Sequence, residues 1–298
     1  MRTGINGKTG ILGIIGGNIE TSLSPFLHNE LLKHYSLNER YLSFQISAVQ
    51  LPAAIKALKT LNIKGVNVTV PFKEKAMEFM EKVEESALKI GAINTIVHKD
   101  KLLYGYNTDF IGFKRSLLEK KEIEIKGRSA VVMGAGGAAR AIIYVLCQEG
   151  IKEISIFNRT LDKAGKIEKE YHAFFPDCLI RIFPMGDRCL QDKINRADFL
   201  INTTSLGFYP NIDLNPLPEN ILLNQHLIAY DLIYFPAKTS FLRQAEKAGA
   251  KIINGGEMLV YQAVESFYLW TRIRPDKEII RELIHKLHEK NNNSQKTE

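Results

Sequence analysis

Short apolar runs alternate with stretches of helical period through the first hundred residues. Residues 11–16, 41–45 and 65–70 read as strands, separated by a helix opening at about Pro25 and another over residues 49–61. Residues 74–90 predict one further helix, and residues 95–97 with 102–105 predict an antiparallel hairpin around Lys99-Asp100. The pattern then starts afresh. Residues 130–133, 153–157, 198–202 and 227–231 read as strands of a second unit, with C-terminal ends facing a ligand crevice. Two amphipathic segments follow, 257–270 and 275–290, placed to return and brace the first unit. Residues 291–298 are polar, lack core residues and read as a disordered tail. Two successive blocks of strands and helices predict an α/β fold of two domains, and no internal repeat is visible.

The join between the blocks carries the first chemical signal. After the strand at 130–133 the chain reads Gly134-Ala135-Gly136-Gly137-Ala138-Ala139, a glycine turn that opens a helix. Gly134 permits the tight turn, Gly136 lets backbone approach phosphate oxygens, and small Ala139 lets helix and strand pack closely. The helix N-terminus then faces the anion, as a dinucleotide pyrophosphate requires. The next strand ends about twenty residues beyond the turn in Asn158-Arg159-Thr160, where an NAD enzyme would carry an acidic residue. A guanidinium there forks onto a ribose 2′-phosphate, which favours NADP. Taken alone, the same residues also describe a structural turn with a surface arginine.

Composition narrows the class. With 298 residues, 45% of them hydrophobic and 24% charged, the chain can bury a large core, which excludes disordered and fibrous classes. Cys147, Cys178 and Cys189 have no metal-ligand spacing and predict no disulfide framework, as in a reducing compartment. The apolar stretch 11–15 is broken by Gly13 and is too short to span a bilayer or form a signal core, so the expectation is a cytoplasmic protein with no membrane partner. A formal charge of +7 raises the question of nucleic acid. Runs such as Lys120-Lys121 and residues 286–290 mix with glutamate and make no basic stripe, so no nucleic-acid partner is expected. No metal is implied either: no His-Glu-x-x-His pattern occurs, and His285 with His288 reads as a surface pair.

Polar residues gather at the strand ends of the first unit: Ser22, Ser24, Asn67, Thr69, Lys73, Asn94, Asn107 and Asp109. Hydroxyls and amides of this kind suit a polyhydroxylated, carboxylated ligand, and a lysine near an aspartate can exchange a proton with a substrate oxygen. Each residue alone also has an ordinary explanation as a helix cap, turn or solvated helix start. Their order is more specific. Ser22-Leu-Ser24-Pro-Phe-Leu-His-Asn29, Asn67-Val-Thr69-Val-Pro-Phe-Lys73, Gly91-Ala-Ile-Asn94-Thr95 and Asn107-Thr-Asp109 are followed by Gly134-Ala-Gly-Gly-Ala138, Asn158-Arg-Thr160, Asn202-Thr-Thr-Ser-Leu-Gly207, Asp231-Leu-Ile-Tyr234 and Met258-Leu-Val-Tyr-Gln262. In these motifs, over nearly its whole length, the chain resembles the shikimate/quinate dehydrogenase family.

The resemblance implies an N-terminal α/β substrate domain and a Rossmann-type, doubly wound NADP-binding domain with a cleft between them. On this chain the boundaries are 1–108, joined by helices in 259–290, and 109–258, followed by the tail. It implies reversible reduction of 3-dehydroshikimate to shikimate by NADPH in aromatic amino acid biosynthesis. Lys73 would be the acid/base, oriented by Asp109. Ser22 and Ser24 would hold the substrate carboxylate, Thr69, Asn94, Asp109 and Gln262 would bond ring hydroxyls, and Asn67 and Tyr234 would complete that shell. Gly134, Ala135, Gly136, Gly137 and Ala138 would carry the cofactor phosphates. Asn158, Arg159, Thr160 and Lys163 would surround the adenosine phosphate, and Thr203, Leu232, Gly255 and Met258 would lie near the nicotinamide half.

Three positions depart from the family pattern: Glu257 where a second glycine is usual, Phe110 where glycine is common, and Tyr106 in place of an acidic residue. Glu85 matches a position sometimes linked to cofactor, although an exposed helical glutamate is the simpler account. Two other readings fit the residues, a quinate/shikimate dehydrogenase using NAD or NADP and a non-catalytic dinucleotide sensor. The oligomeric state, monomer or homodimer, is left open.

Overall fold

The computed structural model describes residues 4–119 and 123–294, without the side chains of 292–294. Lys120-Lys121 and the last four residues of the expected tail lie outside the described residues. The chain divides into two compact units, Met1–Gly112 with Leu259–Leu283, and Phe113–Met258 with Ile284–Glu298.

The first unit is built on a six-stranded mixed sheet. Its strands are β1 (Gly10–Gly16), β2 (Glu39–Gln45), β3 (Gly65–Val68), β4 (Lys82–Val83), β5 (Thr95–Lys99) and β6 (Leu102–Tyr106), in the spatial order β2-β1-β3-β5-β6-β4. β1 pairs parallel with β2 and β3, whereas β5 runs antiparallel to β3 and β6. The register aligns Ile14, Asn67, Thr95 and Tyr106 in one row. Because β1 and β3 end just beyond that row, β6 ends in it and β5 begins there, the segments 17–23, 69–74, 91–94 and 107–108 all lie at the same end of the sheet. This is the physical reason the polar motifs converge. Helices α1 (Ser24–His34) and α2 (Leu51–Thr60) connect the parallel strands. α2 turns Leu51, Ile55 and Leu58 into a core with Val66, Val68, Ile96 and Leu103.

The segment 74–90 is not one helix. It forms a short 3-10 turn (Lys75–Phe79), then β4, and only then α3 (Glu85–Ile90). The competing bonds are specific: β4 pairs with β6, Glu81 accepts the Leu103 N–H at 2.7 Å, and the Glu84 carboxylate caps α3 through the Ser86 and Ala87 N–H groups. A strand edge and a cap together outweigh helical period here. β3 likewise stops at Val68 rather than continuing to residue 70.

The second unit is wholly parallel. Strands β7 (Ser129–Met133), β8 (Glu153–Asn158), β9 (Leu179–Pro184), β10 (Phe199–Asn202), β11 (Ile228–Asp231) and β12 (Lys251–Ile253) stand in the order β12-β11-β10-β7-β8-β9. Counted within the unit this is the doubly wound order 3-2-1-4-5-6, whose direction reverses between β7 and β10. Helix α4 (Asp109–Leu118) leads into the unit, and α5 (Gly137–Gln148), α6 (Leu161–Phe174), α7 (Leu190–Arg196) and α8 (Ser240–Lys247) connect or flank its strands. α5 is buried without interruption from Ala139 to Cys147. Val131, Met133, Leu200 and Ala229 of the sheet pack with Leu190 and Ile194 of α7 and with Phe241, Leu242 and Ala245 of α8.

Two long helices close the chain, α9 (Gly256–Thr271) and α10 (Lys277–Ser294). α9 carries Gln262 into the first unit, while the second half of α10 groups with the second unit instead of the first. Residues 291–294, expected in a disordered tail, continue α10, because Asn291 is buried and its side-chain amide donates to the Tyr234 carbonyl at 2.7 Å. No described helix is long and apolar enough to cross a membrane.

Candidate active site

At the convergent end of the first sheet, Lys73 follows β3 in a turn whose backbone is tied down, its carbonyl accepting the Ile93 N–H at 2.9 Å. Its Nζ donates to Asp109 Oδ2 at 2.6 Å, with only 15% and 7% of the two side chains exposed. Asp109 opens α4 and is set by Asn107, whose Oδ1 accepts the Asp109 N–H at 3.0 Å while its amide donates to the Ala92 carbonyl. The other carboxylate oxygen, Oδ1, accepts Asn94 Nδ2 at 2.9 Å. A nearly dry ion pair therefore keeps both carboxylate oxygens engaged, and the ammonium retains two further protons to offer.

Asn94 extends the cluster. Its Nδ2 also donates to Thr108 Oγ1 at 2.9 Å and reaches Gln262 Oε1 at 3.4 Å, and its Oδ1 accepts the Thr108 N–H at 2.6 Å. Asn67 is buried as well and donates to Asn94 O and Thr95 Oγ1, both at 3.1 Å. Its Oδ1 accepts the Tyr41 hydroxyl at 2.7 Å. The Tyr41 ring is stacked on His28 with centroids 4.3 Å apart, and burial pushes the His28 imidazole down to about 3, so it packs as a neutral ring at neutral pH. Ser24 is buried, and its N–H donates to Ser22 Oγ at 3.3 Å at the start of α1. Thr69 is half-buried, its backbone bound to Ile15 O.

Asn67, Lys73, Asn94, Asp109 and Gln262 are thus joined by hydrogen bonds or share partners, and Ser22, Ser24 and Thr69 lie on segments leaving the same sheet end. Tyr234 belongs to the second unit, where its carbonyl holds Asn291. The sequence reading missed Thr108, Thr95, Tyr41 and Ser266 as members of this network. Ser266 had a usable signal, since it falls four residues after Gln262 on one helix face.

In the second unit the register aligns Phe157, Met133, Asn202 and Asp231, so the glycine turn, the loop after β10 and the loop after β11 leave from one end. Gly134 has φ +109°, and a Cβ on it would stand 2.5 Å from Thr203 Oγ1, which is itself held on Met133 O at 2.8 Å. Only glycine meets both demands. Above Gly136 the space is open, and among the described residues no side chain caps α5, so its first N–H groups stay available to an anion. Ala135 is buried in the turn, and Gly137 and Ala138 are half-exposed at the helix start. Asn158 bonds back to Thr160 O at 2.7 Å, presenting Arg159 and Lys163 to solvent.

Behind these loops lies a buried carboxylate. Asp231 accepts Thr239 Oγ1 at 2.6 Å, Asn202 Nδ2 at 3.0 Å and the Ile233 N–H at 3.1 Å, tying the loop that carries Leu232 and Tyr234 to the loop that carries Thr203. Burial raises its pKa to about 7 despite those bonds. Gly255 is required by contact, because a Cβ would meet Leu232 O at 2.0 Å, and Met258 is buried in the first turns of α9. Glu257 occupies that first turn as well. Tyr106 ends β6 and gives its carbonyl to Asn94 N–H, and Phe110 lies in the first turn of α4. Glu85 is exposed and paired with Lys89 at 2.7 Å, and both His285 and His288 are exposed. Among the described residues no cluster of three or more His, Cys, Asp or Glu stands ready for a metal ion.

Family models for the shikimate dehydrogenase substrate binding domain, shikimate / quinate 5-dehydrogenase and the shikimate 5′-dehydrogenase C-terminal domain match residues 14–96, 116–207 and 255–285. The chain belongs to the shikimate dehydrogenase family. It is 43% identical to the shikimate dehydrogenase (NADP(+)) of Caldanaerobacter subterraneus subsp. tengcongensis over 94% of this chain and 98% of that relative. Among solved structures it is similar to a shikimate dehydrogenase in complex with NADP+, at TM-score 0.84 and 36% identity over 95% and 96% of the two chains. It is similar too to the Thermus thermophilus family member in complex with NADP(H) and shikimate, at TM-score 0.79 and 32% identity over 93% and 99%. The family match spans both units, and the two-unit α/β architecture with a dinucleotide-binding second half accords with it.

Proposed function

We propose that this protein catalyses the reversible, NADPH-dependent reduction of 3-dehydroshikimate to shikimate in the route to aromatic amino acids. The observation that carries the reading is the ammonium of Lys73 held 2.6 Å from Asp109 inside a cluster of amides and hydroxyls suited to a polyol. An ion pair of this kind, kept nearly dry, is costly to maintain for packing alone and useful where charge develops.

The residues of the second unit fit the cofactor. The open space at Gly136 and the uncapped α5 N-terminus suit its pyrophosphate, and the exposed Arg159, with Lys163, suits a 2′-phosphate. Gly134, Ala135, Gly137 and Ala138 shape that turn, Asn158 and Thr160 flank the arginine, and Thr203, Leu232, Gly255 and Met258 serve the nicotinamide half. When bound, NADPH supplies the hydride.

The protein's own residues do the rest. Ser22 and Ser24 bind the substrate carboxylate, and Asn67, Thr69, Asn94, Gln262 and Tyr234 orient the ring hydroxyls. In the reducing direction negative charge grows on the substrate carbonyl oxygen, where Lys73 Nζ stabilises it and delivers a proton. Asp109 holds Nζ in place and accepts a neighbouring hydroxyl. In the oxidising direction the same nitrogen takes the hydroxyl proton. The substrate is a small molecule, the enzyme acts in the cytoplasm as a monomer or homodimer, and its free cysteines suit that compartment.

Absorbance of the reduced nicotinamide, followed with shikimate or quinate and with NADP or NAD, tests this reading. Shikimate with NADP should be the fastest pair. Preference for quinate with NAD would make the protein a quinate dehydrogenase, and binding without turnover would make it a sensor.

A further inference from the structure

Ser266 is fully buried on α9, and four polar groups converge on its hydroxyl. Oγ donates to the Gln262 carbonyl at 3.0 Å and receives Asn67 Nδ2 at 3.0 Å. It also lies 2.8 Å from Thr95 Oγ1 and 3.0 Å from Thr108 Oγ1. A serine hydroxyl offers one proton and two lone pairs, three bonds for four neighbours, so with Gln262 O and Asn67 served the two threonines share its last lone pair. It is the point where β3, β5, the 107–108 segment and α9 are bonded to one atom.

What the two threonines do elsewhere gives this junction its consequence. Thr95 Oγ1 lies 3.1 Å from Asn94 Oδ1, and Thr108 Oγ1 lies 3.2 Å from the same oxygen and 3.5 Å from Gln262 Oε1. Each threonine has one proton to give, and the bonds to Ser266 decide how the pair divides them. Asn94 and Gln262 are two of the three amides read above as ring-hydroxyl binders, Asn67 being the third. With Ser266 in place, Asn94 keeps its amide nitrogen toward Asp109 Oδ1, and Gln262 keeps its oxygen toward the cluster.

We propose that Ser266 is a positioning residue for the substrate polyol, its hydroxyl fixing the attitudes of Asn94 and Gln262 through Thr95 and Thr108. The inference rests on the function proposed above. Taking away Oγ leaves the pair of threonine hydroxyls one acceptor short in a dry pocket, and they turn to compete for Asn94 Oδ1 and Gln262 Oε1. The substrate then meets amides already occupied. Substrate affinity should suffer while the chemistry at Lys73 persists.

The test is calorimetric titration of the cofactor-free protein with shikimate, paired with steady-state kinetics and thermal melting. Ser266→Ala should weaken shikimate binding roughly tenfold, raise KM for shikimate in parallel, and leave kcat and NADP binding near those of the unaltered chain. Ser266→Thr, which keeps the hydroxyl, should restore most of the loss. Phe267→Leu, a buried change one residue along the same helix, should lower Tm without moving the shikimate Kd. If Ser266→Ala lowers Tm like Phe267→Leu and leaves the shikimate Kd unchanged, Ser266 is a packing residue and the proposal is overturned. Should Ser266→Ala fail to fold, Thr95→Val removes the other side of the same bridge, and an unchanged Kd there overturns it equally. Failure of the unaltered protein to bind shikimate would instead strike the proposed function itself, and this inference with it.

Discussion

The two candidate sites are built from different materials. In the first unit the site consists of side chains, Lys73, Asp109, Asn94, Thr108 and Gln262, that already bond one another and are mostly buried. In the second unit it consists largely of backbone: a glycine turn, an uncapped helix N-terminus and the exposed Arg159 beside them. The difference follows from the role proposed for each. A proton has to reach one oxygen of a small ring, which demands side chains held to within a fraction of an ångström. A pyrophosphate is large and doubly charged, and any rigid fan of N–H groups with a favourable helix dipole suits it. The polyol site should therefore be fragile to loss of a single side-chain atom. The turn should be fragile to gain of one.

The largest effect on turnover tests the first half of that contrast. Lys73→Ala should lower kcat roughly 10²–10⁴-fold with little change in KM, because the ammonium matters most as charge develops in the transition state. Steady-state kinetics in both directions measures this, and a near-normal kcat would take Lys73 out of the mechanism. Gly134→Ala tests the second half. The added Cβ stands 2.5 Å from Thr203 Oγ1 at a φ of +109°, and holding a non-glycine residue in such backbone costs on the order of 1–3 kcal/mol. Tm should fall and NADP should bind more weakly, while the shikimate Kd stays put. A variant that loses shikimate binding and keeps NADP would reverse the assignment of the two units.

How much of this was readable from the residues alone divides along the same line. The glycine turn and its helix were visible as a local pattern, because Gly134 and Gly136 do their work within a few residues of chain. The second unit's order was partly legible, but β9 and β12 were not read. In β9 Arg181 splits the apolar residues into two pairs and only Ile180 is buried, and β12 is three residues long. The polyol site was legible as a set of polar residues at strand ends but not as a network. Thr108, Thr95 and Ser266 become partners only when the register lays Asn67 beside Thr95 and α9 returns from over 150 residues away to place Ser266 against Thr108. The segment 74–90 was misread for the same reason. What breaks its helical period is β6, which lies beyond it in the chain and supplies the strand partner and the Leu103 N–H that Glu81 accepts.

Arg159→Ala sharpens the comparison further, since it removes a side chain from a site made largely of backbone. The guanidinium is exposed and touches only one phosphate of the cofactor in the proposed assignment. NADP should weaken roughly tenfold, the scale of a hydrogen bond to a charged group, whereas NAD binding should be unchanged. Calorimetric titration with each dinucleotide separates the two. Equal losses for NADP and NAD would show that Arg159 supports the turn generally and does not read the 2′-phosphate.

The smallest effect on turnover at neutral pH, and the most informative about stability, concerns Asp231. Unlike the glycine turn, it is a buried side chain, with Thr239, Asn202 and the Ile233 N–H around it. Burial lifts its pKa from the ordinary 3.8 to about 7, so between those values the folded protein holds a proton that the unfolded chain has released. Stability from this group is then fully present below about 3.8 and is lost as pH rises through about 7. Asp231→Asn removes the titration while keeping the side chain's size. The Tm of the unaltered protein, measured relative to that variant, should fall as pH is raised from about 5 to about 8, a window chosen to bracket the value of about 7. A constant difference across the window would mean that the three donors hold Asp231 ionised throughout. In that case the carboxylate is as fully satisfied as Asp109, and the second unit contains a preformed polar cluster equivalent to that of the first.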